Sequence, residues 1–248
     1  MNPTRLRLFV LLAALSAAIF VRLGVWQLHR RSERRAQNAI IADRMREAER
    51  DAGSLSLSDT AGIRFRRVRL SGMPDYDHEL ILAARSHRGS PGVNVFTPVR
   101  LAGRDTAVLV NRGWVYAPDG ATIDEGRFRE PDSVFVGYAD VFPSPTGTAY
   151  ADKPRVLARL GADAAARAVP YPVARFYVVA VGDSTGGADR PARLTVPPLD
   201  EGPHTSYAMQ WFSFAAIAVA GAGFVIKQAR DAHRATTRGR GASFESDA

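Results

Sequence analysis

His204, Tyr207 and Trp211 open an apolar run at the i, i+3, i+7 spacing that lines up three side chains on one helical face. An imidazole above flat apolar neighbours is what axial ligation of haem iron requires. The same residues also suit a plainer role, a histidine capping a helix above an aromatic belt at a membrane surface, and spacing leaves both open. A second group, Gly24-Val25-Trp26-Gln27-Leu28-His29-Arg30, closes an apolar run near the N-terminus, where Trp and Arg at a lipid edge need no further function. His29 there would share the membrane surface with His204, which makes it a second ligand or a gate on grounds of depth alone. The third group is Val108-Leu109-Val110-Asn111-Arg112-Gly113-Trp114-Val115, a strand that ends on a polar cluster. Asn and Arg beside Gly suit an anion, and they equally suit a structural turn.

Other chemistry is restricted by composition. There is no cysteine, which removes disulfides, thiolate metal sites and a Cys nucleophile. The five histidines (29, 78, 87, 204 and 233) form no ligand pair at i, i+4, so haem iron at His204 is the only metal indicated. Gly182-Asp183-Ser184-Thr185-Gly186-Gly187 is superficially similar to the nucleophile neighbourhood of trypsin-like proteases. A serine nucleophile needs a positioned His and a carboxylate. His78 and His87 stand in no recognisable setting and Thr185 replaces the expected Gly, so a membrane-anchored serine hydrolase is a remote alternative to a polar turn. The net charge of +8 does not imply nucleic acid. Its Arg residues cluster at 22–50 and 227–240, flanking apolar segments where they meet headgroups or fix topology, and no nucleic-acid motif is present.

These residues must be positioned by a membrane protein of α+β class. Two transmembrane helices are expected to bracket a mostly antiparallel β domain, barrel- or sandwich-like, with one or two helices. Residues 8–21 carry no charge, and the run continues past Arg22 to Trp26, so an uncleaved span over 8–28 is favoured over signal-peptide cleavage near Leu15-Ser16-Ala17. Residues 207–226 are uncharged and long enough to cross the hydrocarbon core. Their small residues (Ala215, Ala216, Ala218, Ala220, Gly221, Ala222, Gly223) suit close packing against another helix. The chain then divides into a cytoplasmic tail at 1–7, the first span, an extracytoplasmic domain at 29–206, the second span at 207–226, and a cytoplasmic tail at 227–248. Lys227, Arg230, Arg234, Arg238 and Arg240 argue for a cytoplasmic C-terminus. The Arg residues after the first span argue the other way, but the long intervening segment weakens their vote.

A charged helix should prolong the first span from Gln27 to about Ala52, since Gly and Pro are absent until Gly53. Beyond it, Phe65–Leu70, Leu80–Ala84, Val93–Val99, Ala107–Val110, Val134–Gly137 and Phe176–Val181 read as strands. Leu101–Asp105 reads as a hairpin turn, and the Ala-rich stretch Leu157–Val169 as the domain's helix. The polar tail after Lys227 is expected to fray.

Taken in order, these groups resemble the Surfeit locus protein family, the Surf/Shy group of cytochrome oxidase assembly factors. The shared marks are the Gly24-x-Trp26-Gln27-x-x-Arg30 exit, the Gly89–Gly92 turn before Thr97-Pro98, Val110-Asn111-Arg112-Gly113-Trp114, and His204-x-x-Tyr207-Ala208-x-x-Trp211. The resemblance spans roughly residues 8–226. Arg34 stands where the family often has Lys, and Val93 where it usually has Tyr; 157–169 and 182–190 carry no family pattern. It implies a non-enzymatic helper in maturation of respiratory-chain haem-copper oxidase, aiding haem a delivery or insertion into the catalytic subunit. By that implication His204 is the haem ligand with Tyr207 and Trp211 beside it, and the partners are the catalytic subunit or haem a synthase together with membrane lipid. The competing reading is a cofactor-free membrane scaffold in which Trp114, Trp211 and the small-residue faces dock an oxidase subunit.

Overall fold

The computed structural model describes residues 2–58, 60 and 62–244, with side chains described through Arg234. Met1 and the last four residues of the expected tails lie outside the described residues. The chain forms two compact units, one of residues 1–39 and 199–248, the other of residues 40–198.

Helix α1 (Pro3–Arg46) begins with Pro in its first turn, where its missing N–H is not needed, and Asn2 Oδ1 accepts the Thr4 N–H at 3.0 Å. Its charged extension is continuous with the span, as expected, and stops at Arg46. Helix α2 (Ala162–Arg167) and helix α3 (His204–Phe244) follow. The chain enters α3 through Gly202, whose φ of +73° glycine adopts without strain, and Asp200 Oδ1 accepts the Gly202 N–H at 2.8 Å. Helix α3 runs helical through Phe244, so the expected fraying just after Lys227 is corrected. Arg and Ala have high intrinsic helix propensity, which suits this stretch to helix.

Both α1 and α3 are long and apolar enough to cross a membrane. Only 11% of the apolar stretch of each is buried, whereas the core helix of a soluble protein is mostly buried. In the first unit the two helices run antiparallel. Phe20 meets Trp211 and Phe214, Gly24 meets Phe212, Gln27 meets His204, and Arg31 meets Glu201, so numbers rise on α1 as they fall on α3. Ala17, Gly24, Ala208 and Ala215 are buried along this seam at seven-residue intervals on each helix. The small residues farther along α3 behave otherwise: a Cβ on Gly221 or Gly223 would meet nothing within 4 Å.

The second unit is a mixed sheet of ten strands. They are β1 (Arg50–Asp51), β2 (Arg67–Ser71), β3 (Met73–Pro74), β4 (Leu80–His87), β5 (Ser90–Arg100), β6 (Ala107–Tyr116), β7 (Val134–Val141), β8 (Thr148–Tyr150), β9 (Lys153–Arg159) and β10 (Val173–Ala180). The order is β1-β2-β7-β10-β6-β5-β4-β9-β8, with β3 on β5. The pairings β1 with β2, β6 with β10 and β4 with β9 are parallel; the rest are antiparallel. Hydrophobic alternation builds two core layers. Leu109, Tyr177 and Val179 enter one with Leu80, Phe96 and Leu157, while Val108, Val110, Phe176 and Val178 enter the other with Val68 and Leu70. Helix α2 adds Ala164 and Ala165 to the first layer, and Ala52 and Ile63 join the second.

Two local readings of the sequence are corrected here. The helix expected over Leu157–Val169 is shorter: its first three residues close β9, where Val156 and Leu157 pair with Ile81 and Leu82 of β4, and only Ala162–Arg167 is helical. Strand β6 does not end at Val110. It continues through the Asn111–Trp114 cluster to Tyr116, bending at Gly113, whose φ is +127°. The Leu101–Asp105 hairpin turn is present, closed by Arg104 N–H donating to the Leu101 carbonyl at 3.2 Å.

Candidate functional site

In the first unit the geometry centres on His204, the first residue of α3. Its Nδ1 lies 2.8 Å from Gln27 Oε1 on α1. An amide oxygen only accepts, so Nδ1 is the donor in this contact and Nε2 is the ring nitrogen left for another partner. This is the orientation that a second residue imposes on a metal-binding histidine. The ring is half-buried, and Gly202 lies against it: a Cβ there would sit 3.4 Å from Nε2. Trp211 stacks on Phe20 with centroids 5.8 Å apart and 24° between planes, whereas Tyr207 is 47% exposed. The expected aromatic stripe therefore divides, one ring packing on α1 and the other facing outward. Trp26 is also exposed, and Arg30 pairs with Glu33 of its own helix at 2.7 Å. His29 is not brought to His204. It lies two residues, about 200° of helical rotation, from Gln27. Glu201 receives both Arg31 at 2.8 Å and Arg35 at 2.7 Å, and Asn38 donates to the Asp200 carbonyl at 3.1 Å, so the loop entering α3 is held at three points on α1.

In the second unit the most charged feature is internal. Arg112 is fully buried. Its Nη2 donates to Glu79 Oε1 at 2.6 Å, its Nη1 to Glu130 Oε2 at 2.7 Å, and its Nε to Thr97 Oγ1 at 2.7 Å. The Thr97 hydroxyl donates in turn to Glu79, and Tyr76 lies under the guanidinium at 5.1 Å. Arg193 completes the group by donating to Glu130 Oε1 at 2.8 Å and to the Arg112 carbonyl at 2.6 Å. Two guanidinium groups thus meet two carboxylates directly, and Arg190 lies 3.8 Å from Glu130 Oε1 at the rim of the group. Burial pushes the Glu79 carboxyl upward, against the pull of Arg112 and Thr97, and its Oε2 has no hydrogen-bond partner. Breaking such a buried pair from one side costs about 3–5 kcal/mol. The arrangement fixes β4, β5 and β6 to the segment carrying Glu130. Every arm of the Arg112 guanidinium is committed to these partners, and within the same motif Asn111 Oδ1 accepts the Gly113 N–H at 3.1 Å, a local turn contact. Gly113 permits this by close approach: Trp114 N–H donates to the Ala192 carbonyl at 2.8 Å, and Ala192 returns the bond at 2.8 Å. Trp114 itself packs against His87 with centroids 5.3 Å apart.

The model of the SURF1 family matches residues 14–216, most of the chain and all of the features just described. The chain belongs to the SURF1 family. It is 26% identical over 247 residues to an uncharacterized SURF1-like protein of Mycobacterium tuberculosis, covering 90% of this chain and 84% of that one. A SURF1-like protein of Drosophila melanogaster is 27% identical over 222 residues, 78% of this chain and 69% of its own length. A third, from Monosiga brevicollis, is 25% identical over 225 residues and covers 80% of each.

Within this SURF1-family chain the sequence motifs have separate fates. The exit motif supplies Gln27 to His204, and its Gly24 lies where a Cβ would come within 2.7 Å of Phe212. The Val110–Trp114 motif builds the interior of the sheet domain. Glu79, Thr97, Glu130 and Arg193 were not singled out as a group from the sequence. The available signal was Glu79 beside a predicted strand of buried residues, where an unpaired carboxylate is costly. Around Ser184, His87 Nε2 meets the Ser184 carbonyl at 3.2 Å, while Arg88 reaches its hydroxyl at 3.3 Å. Asp183 is taken by Thr185 at 2.6 Å.

Proposed function

We propose that this chain is a non-enzymatic, membrane-anchored assembly factor for haem-copper terminal oxidase, cytochrome c oxidase, handling haem a as cargo bound for the catalytic subunit. Membership of the SURF1 family supports the general reading, and one observation supports the finer one: the 2.8 Å contact from Gln27 Oε1 to His204 Nδ1, which leaves Nε2 free as a donor. Trp26 and Tyr207, exposed nearby in sequence and on the same pair of helices, would offer flat apolar surface. The catalytic subunit or haem a synthase is the partner. An optical spectrum of detergent-purified protein from cells making haem a tests this. The wild type is expected to carry a haem band, His204→Ala to lose it with folding intact, and Gln27→Leu to weaken it by about 10-fold or more in affinity. A wild type without haem would sink this mechanism and favour a cofactor-free scaffold, whose own support is the outward exposure of the same aromatic rings.

Both termini are assigned to the cytoplasm and the sheet domain to the other side, because Lys227, Arg230 and Arg234 follow the second span. Reporter fusions at the C-terminus should be active only when the reporter works in the cytoplasm. The opposite pattern would invert the topology.

A further inference from the structure

The sheet domain contains a cavity of about 380 Å³, lined from β4, β5, β6, β7, β9 and β10. Two of its polar side chains keep a donor that no described residue accepts. Tyr138 is 5% exposed and its hydroxyl lines the cavity without a partner among the described residues. Asn111 is 4% exposed; its Oδ1 accepts the Gly113 N–H at 3.1 Å, but its NH₂ group has no partner among the described residues. Neither group is among the fully buried polar atoms that lack a partner, so both reach the cavity's solvent and can donate to a ligand that enters it.

The charge around the cavity has a sign. Arg85 donates only to the Ala83 carbonyl at 3.0 Å, and Arg159 to Thr148 Oγ1 at 3.2 Å. Neither meets a carboxylate among the described residues. The one acid in the lining, Asp140, is already held by Arg64 at 2.7 Å, by the Tyr177 hydroxyl at 3.2 Å and by the Val141 N–H at 2.8 Å. Apolar walls come from Phe96, Leu160 and Val179. Two strand irregularities set this geometry. Strand β4 slips register between Leu82 and Arg85, with Ala84 at φ +56°, and the β5–β6 ladder slips just before the Phe96–Asn111 pair. Bulges re-aim side chains and recur beside functional sites.

We propose that this cavity binds a small monoanion with an apolar body, a carboxylate on one ring or a short chain. The carboxylate accepts hydrogen bonds from Asn111 and Tyr138 and is balanced by Arg85 and Arg159, while its body lies against Phe96, Leu160 and Val179. The volume, near the lower end for small-molecule sites, sets the ligand's size. This takes up the Asn111 half of the Asn-Arg-Gly motif, whose Arg112 half is spent on the internal ion pairs.

The probe is 4-fluorobenzoate, titrated by fluorine NMR into the full chain in detergent, beside neutral 4-fluorobenzamide. Saturable binding displaced by benzoate is expected, with a dissociation constant of about 5 mM or lower for a ligand of this size. The amide should bind at least about 10-fold more weakly, and Tyr138→Phe, which removes a single oxygen, should weaken the benzoate by about 3- to 10-fold at an unchanged melting temperature. Asn111→Leu should do the same; should it lower the melting temperature, Tyr138→Phe alone decides. No saturable binding, equal binding of acid and amide, or benzoate affinity unmoved by Tyr138→Phe would each overturn the proposal.

Discussion

Tyr138 and Tyr177 sit together against Asp140, and their phenols respond to that enclosure. Burial first, and the Asp140 carboxylate second, push the Tyr138 hydroxyl from 10.0 up to about 12, with Arg64 opposing. Tyr177 moves in the same direction, from burial and then from Asp140. The folded chain therefore keeps phenolic protons that the unfolded chain releases. Stability from this source is full below about pH 10 and declines as pH climbs toward about 12, because the unfolded state binds fewer protons there. Thermal midpoints taken from about pH 9 to pH 12 should fall steadily in the wild type and less steeply in Tyr138→Phe, with Tyr177 supplying the remaining slope. Identical slopes would mean that Tyr138 titrates as it does in water. At this scale the sequence was informative unevenly. His204 and Gln27 belong to short polar-aromatic motifs at the ends of apolar runs and could be found by inspection. Glu79 and Glu130 could not be linked to Arg112, since 33 residues separate Glu79 from it and 18 separate Glu130. Only strand pairing closes those distances.

Helix α1 meets α3 through a seam whose tightest point is Gly24. An added Cβ would lie 2.7 Å from Phe212 Cε1, so even alanine requires that ring to move. Gly24→Val should destabilise the helix pair by about 1–3 kcal/mol through overpacking, and Phe212→Ala placed on the same chain should recover much of it. Thermal unfolding followed by far-ultraviolet circular dichroism in detergent would register the loss; a second substitution that adds to it would place the contact elsewhere. The seam was visible in the sequence only as a general abundance of small residues on the second span. Which of them pack is decided by the partner, and the answer is Ala208 and Ala215, with Gly221 and Gly223 left open. The same physics explains the misread stretch at 157–169. Alanine is the best intrinsic helix former, but propensity yields to tertiary context, and pairing of Val156 and Leu157 with Ile81 and Leu82 overrides it. The two long apolar helices and six strands were legible because each carries a long, an alternating or a short continuous apolar run. Strand β9 and the parallel pairings were not, because they depend on contacts remote in sequence.

At the scale of the whole chain, residues 40–198 hold their core layers within themselves. The three hydrophobic clusters, the Arg112 network and the anion cavity draw every member from that range. Nothing in them requires a residue from 1–39 or 199–248. A fragment of residues 40–198 should therefore express as a soluble monomer and unfold in one cooperative transition, since a chain of this length buries enough apolar surface to be stable alone. The fragment also separates the two ligand assignments. His204 and Gln27 are outside it, whereas Asn111, Tyr138, Arg85 and Arg159 are inside. It should keep 4-fluorobenzoate binding at the full chain's affinity and show no haem band, while the full chain shows both. A fragment that aggregates or melts without a cooperative transition would mean that the sheet domain draws stability from the membrane helices. A folded fragment that took up haem would move the cargo site off His204 and into the sheet domain.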